Sequence, residues 1–528
     1  MMHTLLDPPE VRRKRSGSFY RRWTWRRQVA ASGTRLLIMA TIGLLLWGGW
    51  YLANRGFSRQ WRTKVVEELR KRGIEASVRR LTLDPFRGLI AQDLRIYDPR
   101  KRESPLVSIS EVALDINYAA LLHRQPFLNA IDVRNADLTF PSASSDPNAL
   151  RAQLKQFRAH VYFPPDQIYI NQAEGVFCGI RISASGQLLK RPDYKPSRPI
   201  SEEEWRQRLD MLQRVAAELG RFKFAGEAPS LQVKFTGDVS EMERSHVEAT
   251  LTGERIQRGG YEMNAFSAAA QWSDEKLSLT DLAWTDAAGN FAARASWNSR
   301  SKNAEFQARS SIAAKAFLDA FGLGKYVADV AFASAPQLEV SGSAELTGAA
   351  PRLRVLGSVQ VEDFSYKADP FLNLSADFSR DGERTMLREV RVRHASGELL
   401  ADLLDAPGDF RLNVESSINP TALRPIAPAD LRKFLGEWEL PRSPAARMTI
   451  RGSSRNPQTW SGDGTLALQR ARFRGVWMNS ATAGVHLGDG AIGFKDMHVV
   501  RDEGVGTGGF TYDYTRHEVR IDNVRTHL

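Results

Sequence analysis

The chain has 528 residues, of which 42% are apolar and 25% are charged, and this composition is typical of globular proteins rather than disordered ones. Its formal charge of +12 is concentrated near the amino terminus, because residues 1–62 hold 12 Lys and Arg residues and 2 acids, which leaves 61 basic against 59 acidic residues in the rest of the chain. The charge therefore disfavours a nucleic-acid partner.

Residues 36–53 contain no charged side chain and are closed by Arg35 and Arg55. Eighteen residues in an α-helix cover about 27 Å, close to the hydrocarbon thickness of a bilayer. Trp47 and Trp50 gather at one end, as interfacial aromatic residues do. The stretch predicts a transmembrane helix, and a buried core helix is the alternative.

The residues before this stretch set its orientation. Only Asp7 and Glu10 are acidic there. Nine residues are basic: Arg12, Arg13, Lys14, Arg15, Arg21, Arg22, Arg26, Arg27 and Arg35. The positive-inside bias predicts that residues 1–35 are a cytoplasmic tail and that the bulk of the chain is exported, as in a single-pass protein of a bacterial inner membrane with its carboxyl-terminal bulk in the periplasm. If signal peptidase cleaved after Ala53, Tyr51 would occupy the third position before the cut, where a small residue is expected. The stretch is therefore predicted to be an uncleaved anchor.

The exported part alternates between helix and strand signals. Ser58 can cap a helix that runs through Arg72, and the clearest later helices are predicted over residues 147–160 and 199–220. Between turn signals, period-two alternation predicts strands. These strands are residues 78–83, 89–97, 107–118, 127–133 and 138–140, followed by strand character over 168–189.

After residue 220 the sequence repeats. Leu279, Leu282, Trp284 and Gly289 correspond to Leu387, Val390, Val392 and Gly397, and again to Phe494, Met497, Val499 and Gly504, at offsets of 108 and 107 residues. Ile170, Ala173 and Gly179 form a weaker fourth copy. Each copy contains about five period-two segments, so the pattern predicts a tandem array of β units.

These observations define seven segments. They are a basic cytoplasmic tail (1–35), a transmembrane anchor (36–53), an amino-terminal β unit with a membrane-proximal helix (54–198), a helix (199–221), and three β repeats (222–312, 313–417 and 418–528). The predicted fold is mainly β, an elongated and curled antiparallel sheet of five-strand units with few short helices.

Alternation gives each strand one apolar face, and the predicted helices are too few to cover it. Either the sheet folds on itself into closed sandwiches or barrels, or it curls into an open trough that meets something apolar other than protein. The residues predicted to line such a trough are Leu231, Val233, Leu338, Val340, Val359, Val361, Val390, Val392, Leu466 and Leu468.

Several motifs follow the predicted anchor and short helix. They are Leu81-Thr-Leu83-Asp-Pro85-Phe-Arg-Gly88-Leu-Ile90-Ala-Gln-Asp93-Leu-Arg-Ile96, Leu121-Leu122, Ile131-x-Val133-x-x-Ala136-x-Leu138 and Ser417-Ile418-Asn419-Pro420-x-x-Leu423. In this arrangement the chain resembles the AsmA-like family of bacterial envelope proteins. What the resemblance implies is a repeating β-groove that shields the acyl chains of phospholipids moving between membranes, with no cofactor and no catalytic motif.

Signals for catalysis or metal binding are missing from the sequence. The nine His residues are scattered, Cys178 is the only cysteine, and neither a nucleophile elbow nor a phosphate-binding loop occurs. The chain is predicted not to be an enzyme; hydrolysis by dispersed carboxylates is the residual alternative. The leading hypothesis is a lipid-binding envelope protein, whose last strand, Glu518–Val524, offers an edge to an envelope partner. The alternative is a structural envelope protein with closed β domains that binds a polysaccharide or a protein.

Overall fold

The structure, a computed structural model, describes residues 37–44, 47–48, 51, 56–71, 75–84, 87–98, 101–117, 119–120, 123, 127–140, 152–189, 202–238, 241, 244–347, 351–427, 429–513, 516 and 518–527. The chain divides into two compact units, residues 1–137 and 138–528. Most of the described residues lie in strands, in a long curled sheet that stays open, and helices are few. The mainly β fold class predicted from the sequence is therefore confirmed.

The predicted anchor is described only in part. Residues 37–44, 47–48 and 51 are helical, and the large apolar side chains among them are about half exposed or more. Within the described ranges, no helix combines the length and the apolar character that crossing a membrane requires. The rest of residues 36–53 and the basic tail 1–35 lie outside the described residues, so the anchor stays a prediction.

The first unit contains a helix and a small antiparallel sheet. Helix α1 (Arg59–Lys71) is followed by strands β1 (Glu75–Asp84), β2 (Gly88–Asp98) and β3 (Lys101–Ile116), and β4 (Leu128–Thr139) extends into the second unit. Strand β1 pairs with β2, and β2 with β3. The helix confirms the predicted span. Strand β4 joins the two predicted strands 127–133 and 138–140 into one.

The second unit begins with strands β5 (Gln153–Tyr162), β6 (Gln167–Phe177) and β7 (Ile180–Leu189), followed by helix α2 (Glu202–Leu219). The predicted helix over 199–220 is confirmed, but the predicted helix over 147–160 is wrong, because residues 153–160 belong to β5. Leu154, Phe157 and Val161 have the spacing of a helix face because β5 carries an extra residue where its register with β6 shifts, between Lys155 and Arg158. A β-bulge adds a residue and so imitates a helical period.

Three successive segments repeat one arrangement: a helical segment, a short strand and six long strands. The first has α2, β8 (Phe222–Phe224), β9 (Ser230–Asp238), β10 (His246–Arg258), β11 (Tyr261–Ser273), β12 (Lys276–Thr285), β13 (Asn290–Asn298) and β14 (Asn303–Ser310). The second has α3 (Ala314–Ala320), a 3-10 turn (Gly324–Val327), β15 (Val330–Phe332), β16 (Gln337–Glu345), β17 (Arg352–Tyr366), β18 (Asp369–Asp381), β19 (Arg384–His394), β20 (Gly397–Ala406) and β21 (Asp409–Ser416).

The third segment has α4 (Ala429–Leu435), β22 (Trp438–Glu439), β23 (Ala445–Gly452), a 3-10 turn (Pro457–Thr459), β24 (Ser461–Phe473), β25 (Val476–Gly488), β26 (Ala491–Arg501), β27 (Gly504–Asp513) and β28 (Glu518–His527). The prediction of five strands per unit is wrong in number. The short strand and one long strand escape the sequence pattern because they are brief or interrupted by bulges.

The long strands pair with their neighbours in chain order from β9 to β28, always antiparallel. Each short strand instead pairs with the end of the second long strand of its segment: β8 with β10, β15 with β17 and β22 with β24. Strand β7 pairs with β9 in parallel. The helical segments and short strands therefore mark one rim of the sheet, here called the helix rim. The opposite ends of the long strands form the hairpin rim.

The sequence repeat coincides with a repeated bulge. The register shifts between Leu279 and Leu282 against β13, between Leu387 and Val390 against β20, and between Phe494 and Met497 against β27. The pairing of β6 with β7 has a register shift at the corresponding place, between Ile170 and Ala173. The three-residue spacing that marks the repeat is thus the spacing that keeps side chains on one face across an inserted residue.

Candidate functional site

The candidate site is one face of the long sheet, and strand β9 shows its alternation. Leu231, Val233 and Phe235 are half-buried, whereas the intervening Gln232 and Lys234 are exposed. Side chains of directly opposed residues in a sheet lie on the same face, so the register carries this apolar face from strand to strand.

A single row of directly paired residues crosses nineteen strands, and it contains no charged side chain. The row runs Ile182, Leu231, Leu251, Ala268, Leu282, Ala293, Ala308, Val340, Gly357, Phe378, Leu387, Leu403, Leu412, Ile450, Gly462, Leu487, Ile492, Tyr512 and Val519. The apolar face is therefore continuous from β7 to β28.

A second row lies beside it over the last nine long strands. It runs Val390, Ala401, Val414, Met448, Gly464, Val485, Phe494, Phe510 and Ile521. The opposite face differs. There a row from β9 to β19 is polar throughout: Lys234, Glu248, Gln271, Ser278, Ser296, Glu305, Ser343, Arg354, Asp381 and Arg384.

The ten residues predicted to line a trough all lie on the apolar face. Val361 and Leu468 are buried and the other eight are half-buried. Leu231 and Val340 belong to the long row and Val390 to the second row. Leu338 lies directly opposite Val359, and Leu374 lies between Val361 and Val392. Val233 lies directly opposite Ala249. In the third repeat, Leu466 lies opposite Ala483 and Leu468 opposite Ala481.

Sequence reasoning missed several large members of the rows, among them Leu251, Phe378, Leu412, Phe494 and Phe510. Bulges change which parity faces inward along β18 and β26, the strands of Phe378 and Phe494, whereas β21, the strand of Leu412, alternates without a register shift. The i, i+3 spacing of the repeat was the signal that could have corrected the parity. Only the register shows which residue of one strand opposes which residue of the next.

The apolar face is largely uncovered by protein. Among the described residues, no large side chain is buried to more than 98%, and compact apolar clusters form at only two places. A closed sandwich would bury its inward side chains between two sheets. Here the members of the two rows are half-buried rather than buried, and Val519 and Ile521 are exposed, so the arrangement is that of an open face rather than of separate filled cores.

One of the two clusters lies where α3 covers the helix rim of the first repeat. Phe317 of α3 packs on Tyr261 and Trp284, with ring centroids 5.5 and 5.7 Å apart, and Trp284 Nε1 donates a hydrogen bond to Tyr261 Oη at 2.9 Å. Ile256, Met263 and Ile312 complete its buried part. The helix thus closes the apolar face along this rim and leaves the hairpin rim open.

Asp286 fixes α3 in this position. Its Oδ2 accepts hydrogen bonds from the Ala313 N–H (2.8 Å) and the Tyr261 hydroxyl (3.0 Å), and its Oδ1 accepts the N–H groups of Ala288 and Gly289, both at 2.8 Å. Burial by itself raises the pKa of Asp286, but these hydrogen bonds outweigh it and hold that pKa below its ordinary value. Burial raises the pKa of the Tyr261 hydroxyl.

At its carboxyl-terminal end the apolar face forms a cavity of about 280 Å³. It is lined by the glycines of β27 and by Met497, Val499, Phe510, Val519, Ile521 and Val524. Val519, Ile521 and Val524 of β28 are each more than 60% exposed. Among the described residues, β28 pairs with β27 alone, so its second edge carries apolar side chains and unpaired backbone groups.

The titratable side chains of the described residues offer no metal site. In the described part of the chain, no three His, Cys, Asp or Glu side chains come close enough to hold a metal ion. His394 and Asp369 are buried together at the helix rim of the second repeat, with Nε2 and Oδ1 3.9 Å apart.

Comparison of the chain with protein-family models, with curated proteins and with solved structures finds no match.

Proposed function

We propose that the chain shields the acyl chains of phospholipids on the apolar face of its sheet, and so supports phospholipid transport or outer-membrane homeostasis. The observation that carries the proposal is the long row of paired apolar residues, which crosses nineteen strands without a charge and has no fully buried member. Removing an acyl chain from water gains about 0.8 kcal/mol per methylene group, so a continuous apolar face of this kind has a natural ligand.

The proposal places the protein in the AsmA-like class of envelope proteins. In it, residues 36–53 anchor the chain in the inner membrane and the sheet extends into the periplasm. The free edge of β28 is then a place where an envelope partner adds a strand and continues the apolar face, since backbone pairing at an exposed edge is a recurring mode of recognition. The structural alternative with closed β domains has less support, because it needs covered cores where the members of the rows are only half-buried.

Paired substitutions test the proposal. Val359 and Val392 lie on the apolar face, whereas Gln360 lies on the polar face and is exposed. On an open face a carboxylate at 359 or 392 reaches water, so Val359→Asp and Val392→Asp should fold while carrying several-fold less co-purified lipid. In a closed core the same charge would cost several kcal/mol and unfold the unit.

The measurement is thermal unfolding together with mass spectrometry of lipid extracted from the purified protein. Gln360→Asp is the matched control, expected to keep its lipid and to change stability by no more than about 0.5 kcal/mol. Unfolded Val359→Asp and Val392→Asp variants, with no lipid in the parent protein, would point to the closed structural alternative.

A further inference from the structure

The helix rim carries exposed apolar side chains beside basic ones, most densely in the third repeat. Leu431 and Phe434 of α4 and Val476 and Trp477 of β25 are each between 45% and 50% exposed. They form one patch around Phe473, whose ring lies 6.5 Å from that of Phe434. Val476 is paired directly with Phe473, since both flank the tight β24–β25 turn.

Basic residues surround this patch. The guanidinium of Arg472 lies 5.7 Å from the Trp477 ring, and that of Arg474 lies 5.3 Å from the Phe473 ring. Arg474 also pairs with Glu437 at 2.8 Å, which joins the hairpin to the end of α4. Counted over residues 429–439 and 470–477, five cations (Arg432, Lys433, Arg470, Arg472 and Arg474) stand against three acids (Asp430, Glu437 and Glu439).

The same combination recurs one repeat earlier. Leu431, Lys433 and Phe434 correspond at an offset of 108 residues to Leu323, Lys325 and Tyr326. Leu323 and Tyr326 are exposed by 44% and 72%, respectively. The neighbouring β17–β18 turn adds Tyr366, with Lys367 Nζ 5.4 Å from its ring, just as the β24–β25 turn adds an aromatic residue and an arginine. Two patches of exposed aromatic residues beside lysine or arginine therefore occupy one rim, six strand steps apart. Only the patch of the third repeat has an excess of positive charge, because residues 321–331 and 363–370 hold two cations against three acids.

From these patches we infer that the helix rim docks on an anionic membrane surface. Large apolar and aromatic side chains at half exposure insert at the level of lipid headgroups, and cations beside them attract anionic lipids; this is the composition of surfaces that lie on a bilayer. The excess of positive charge in the third repeat makes the rim complementary to such a surface there. The inference concerns the outer edge of the sheet and does not depend on what the apolar face carries.

Docking would place the strand ends of the second and third repeats at the headgroups, with the hairpin rim facing away. The long strand β24 separates the rims, so a probe on either rim of one repeat can tell them apart. Ala429 is exposed at the start of α4 on the helix rim, and Gln458 is exposed in the turn before β24 on the hairpin rim.

The experiment uses the full chain with Cys178→Ser, reconstituted into vesicles of phosphatidylcholine alone or with 30% phosphatidylglycerol. An environment-sensitive dye is attached at Ala429→Cys, or at Gln458→Cys as the matched control. Any anchoring by residues 36–53 is common to all samples. We expect a blue shift and protection from aqueous iodide at position 429 only, and only with phosphatidylglycerol.

Charge removal adds a second test. Lys325→Gln with Lys433→Gln should lower the docked-to-undocked ratio about thirtyfold, at about 1 kcal/mol for each lysine near an anionic surface. Unchanged melting would show that the double variant is folded, because both side chains are exposed. Equal shifts at both probes would mean unspecific adsorption, and no shift at position 429 in either vesicle would leave an acidic protein surface as the partner of the rim; either result overturns the inference.

Discussion

Gly397 and Ser417 approach each other so closely that a Cβ atom on Gly397 would lie 2.1 Å from the carbonyl oxygen of Ser417. Gly397 opens β20 with φ at +154°, and the hydroxyl of Ser417 accepts the N–H of Glu398 at 3.0 Å. Gly289 and Ser311 make the same approach one repeat earlier, at 2.3 Å. The repeat thus conserves a backbone contact that only glycine allows.

Gly397→Ala should therefore be severely destabilising, by more than about 3 kcal/mol, because a backbone atom cannot move aside as a flexible side chain can. Gly408→Ala is the matched control: its φ is also positive, but a Cβ there meets nothing within 4 Å, so it should cost only about 1 kcal/mol. Chemical unfolding of both variants measures the difference. Equal costs would mean that backbone strain, not the Ser417 contact, governs this position.

Asp286 should make the stability of the first repeat depend on pH. Its pKa is depressed in the folded protein, so its contribution is complete above the ordinary carboxyl pKa near 4 and is lost as the pH falls through the folded value. Asp286→Asn should cost about 3 kcal/mol at pH 7, since backbone donors lose their charged acceptor, and progressively less in acid.

Urea unfolding at pH 7, 4 and 2.5 tests this expectation, because the loss sets in only as the pH falls through the lowered pKa of Asp286. Asp281→Asn is a suitable control on the same strand, because Asp281 is exposed and its carboxylate accepts only the Ser267 hydroxyl at 3.2 Å among the hydrogen bonds described for it. A cost for Asp286→Asn that does not change with pH would contradict the role given to its ionised form.

Deleting Glu389 should reverse the faces on which the side chains after it in β19 lie. Glu389 is the inserted residue of the bulge, with φ at +50°, and without it Val390 and Val392 would face the polar side while Arg391 faced the apolar rows. We expect unfolding of the second repeat or loss of bound lipid. Glu389→Gly, which keeps the residue count and suits the positive φ, should stay within about 1 kcal/mol of the parent. A deletion variant as stable and as lipid-loaded as the parent would show that the bulge does not set the faces.

The predicted topology can be checked with reporters. A reporter that is active only outside the cytoplasm should give signal when fused after Leu528 and none when fused before Met1, because nine basic residues precede the apolar stretch 36–53. Signal from the amino-terminal fusion alone would reverse the predicted orientation, and with it the proposed periplasmic location.

The sequence predicts which segments are strands better than it predicts on which face of the sheet each side chain lies. Alternation identified strands such as β9 and β16, and the repeat offsets found the equivalent strands β12, β19 and β26. The predicted face of a side chain failed where a bulge inserted a residue. Leu154, Phe157 and Val161 imitate a helix face in β5, and the parity of the apolar side chains changes partway along β18 and β26. Cross-strand partners depend on register, which no single strand encodes.

The sequence predicts the apolar face of the candidate site but not the difference between its helix rim and its hairpin rim. Its ten predicted residues share the apolar face because side-chain parity follows from sequence. The closure of the helix rim by α3 could not be predicted, since it depends on the carboxylate of Asp286 accepting a hydrogen bond from the N–H of Ala313, 27 residues later in the chain. Seven-residue helices such as α3 and α4 also carry little periodic signal of their own.

The six long strands of each repeat have a consequence for how such a chain can change length. Because six is even, the first long strand of every unit runs in the same direction and turns the same face inward. The last strand of one unit therefore pairs antiparallel with the first long strand of the next, as β14 does with β16 and β21 with β23. A unit with an odd number would force a parallel junction, such as the one between β7 and β9. Gene duplication or deletion of whole units of about 108 residues can therefore lengthen or shorten the protein without changing the strand pairing between neighbouring units.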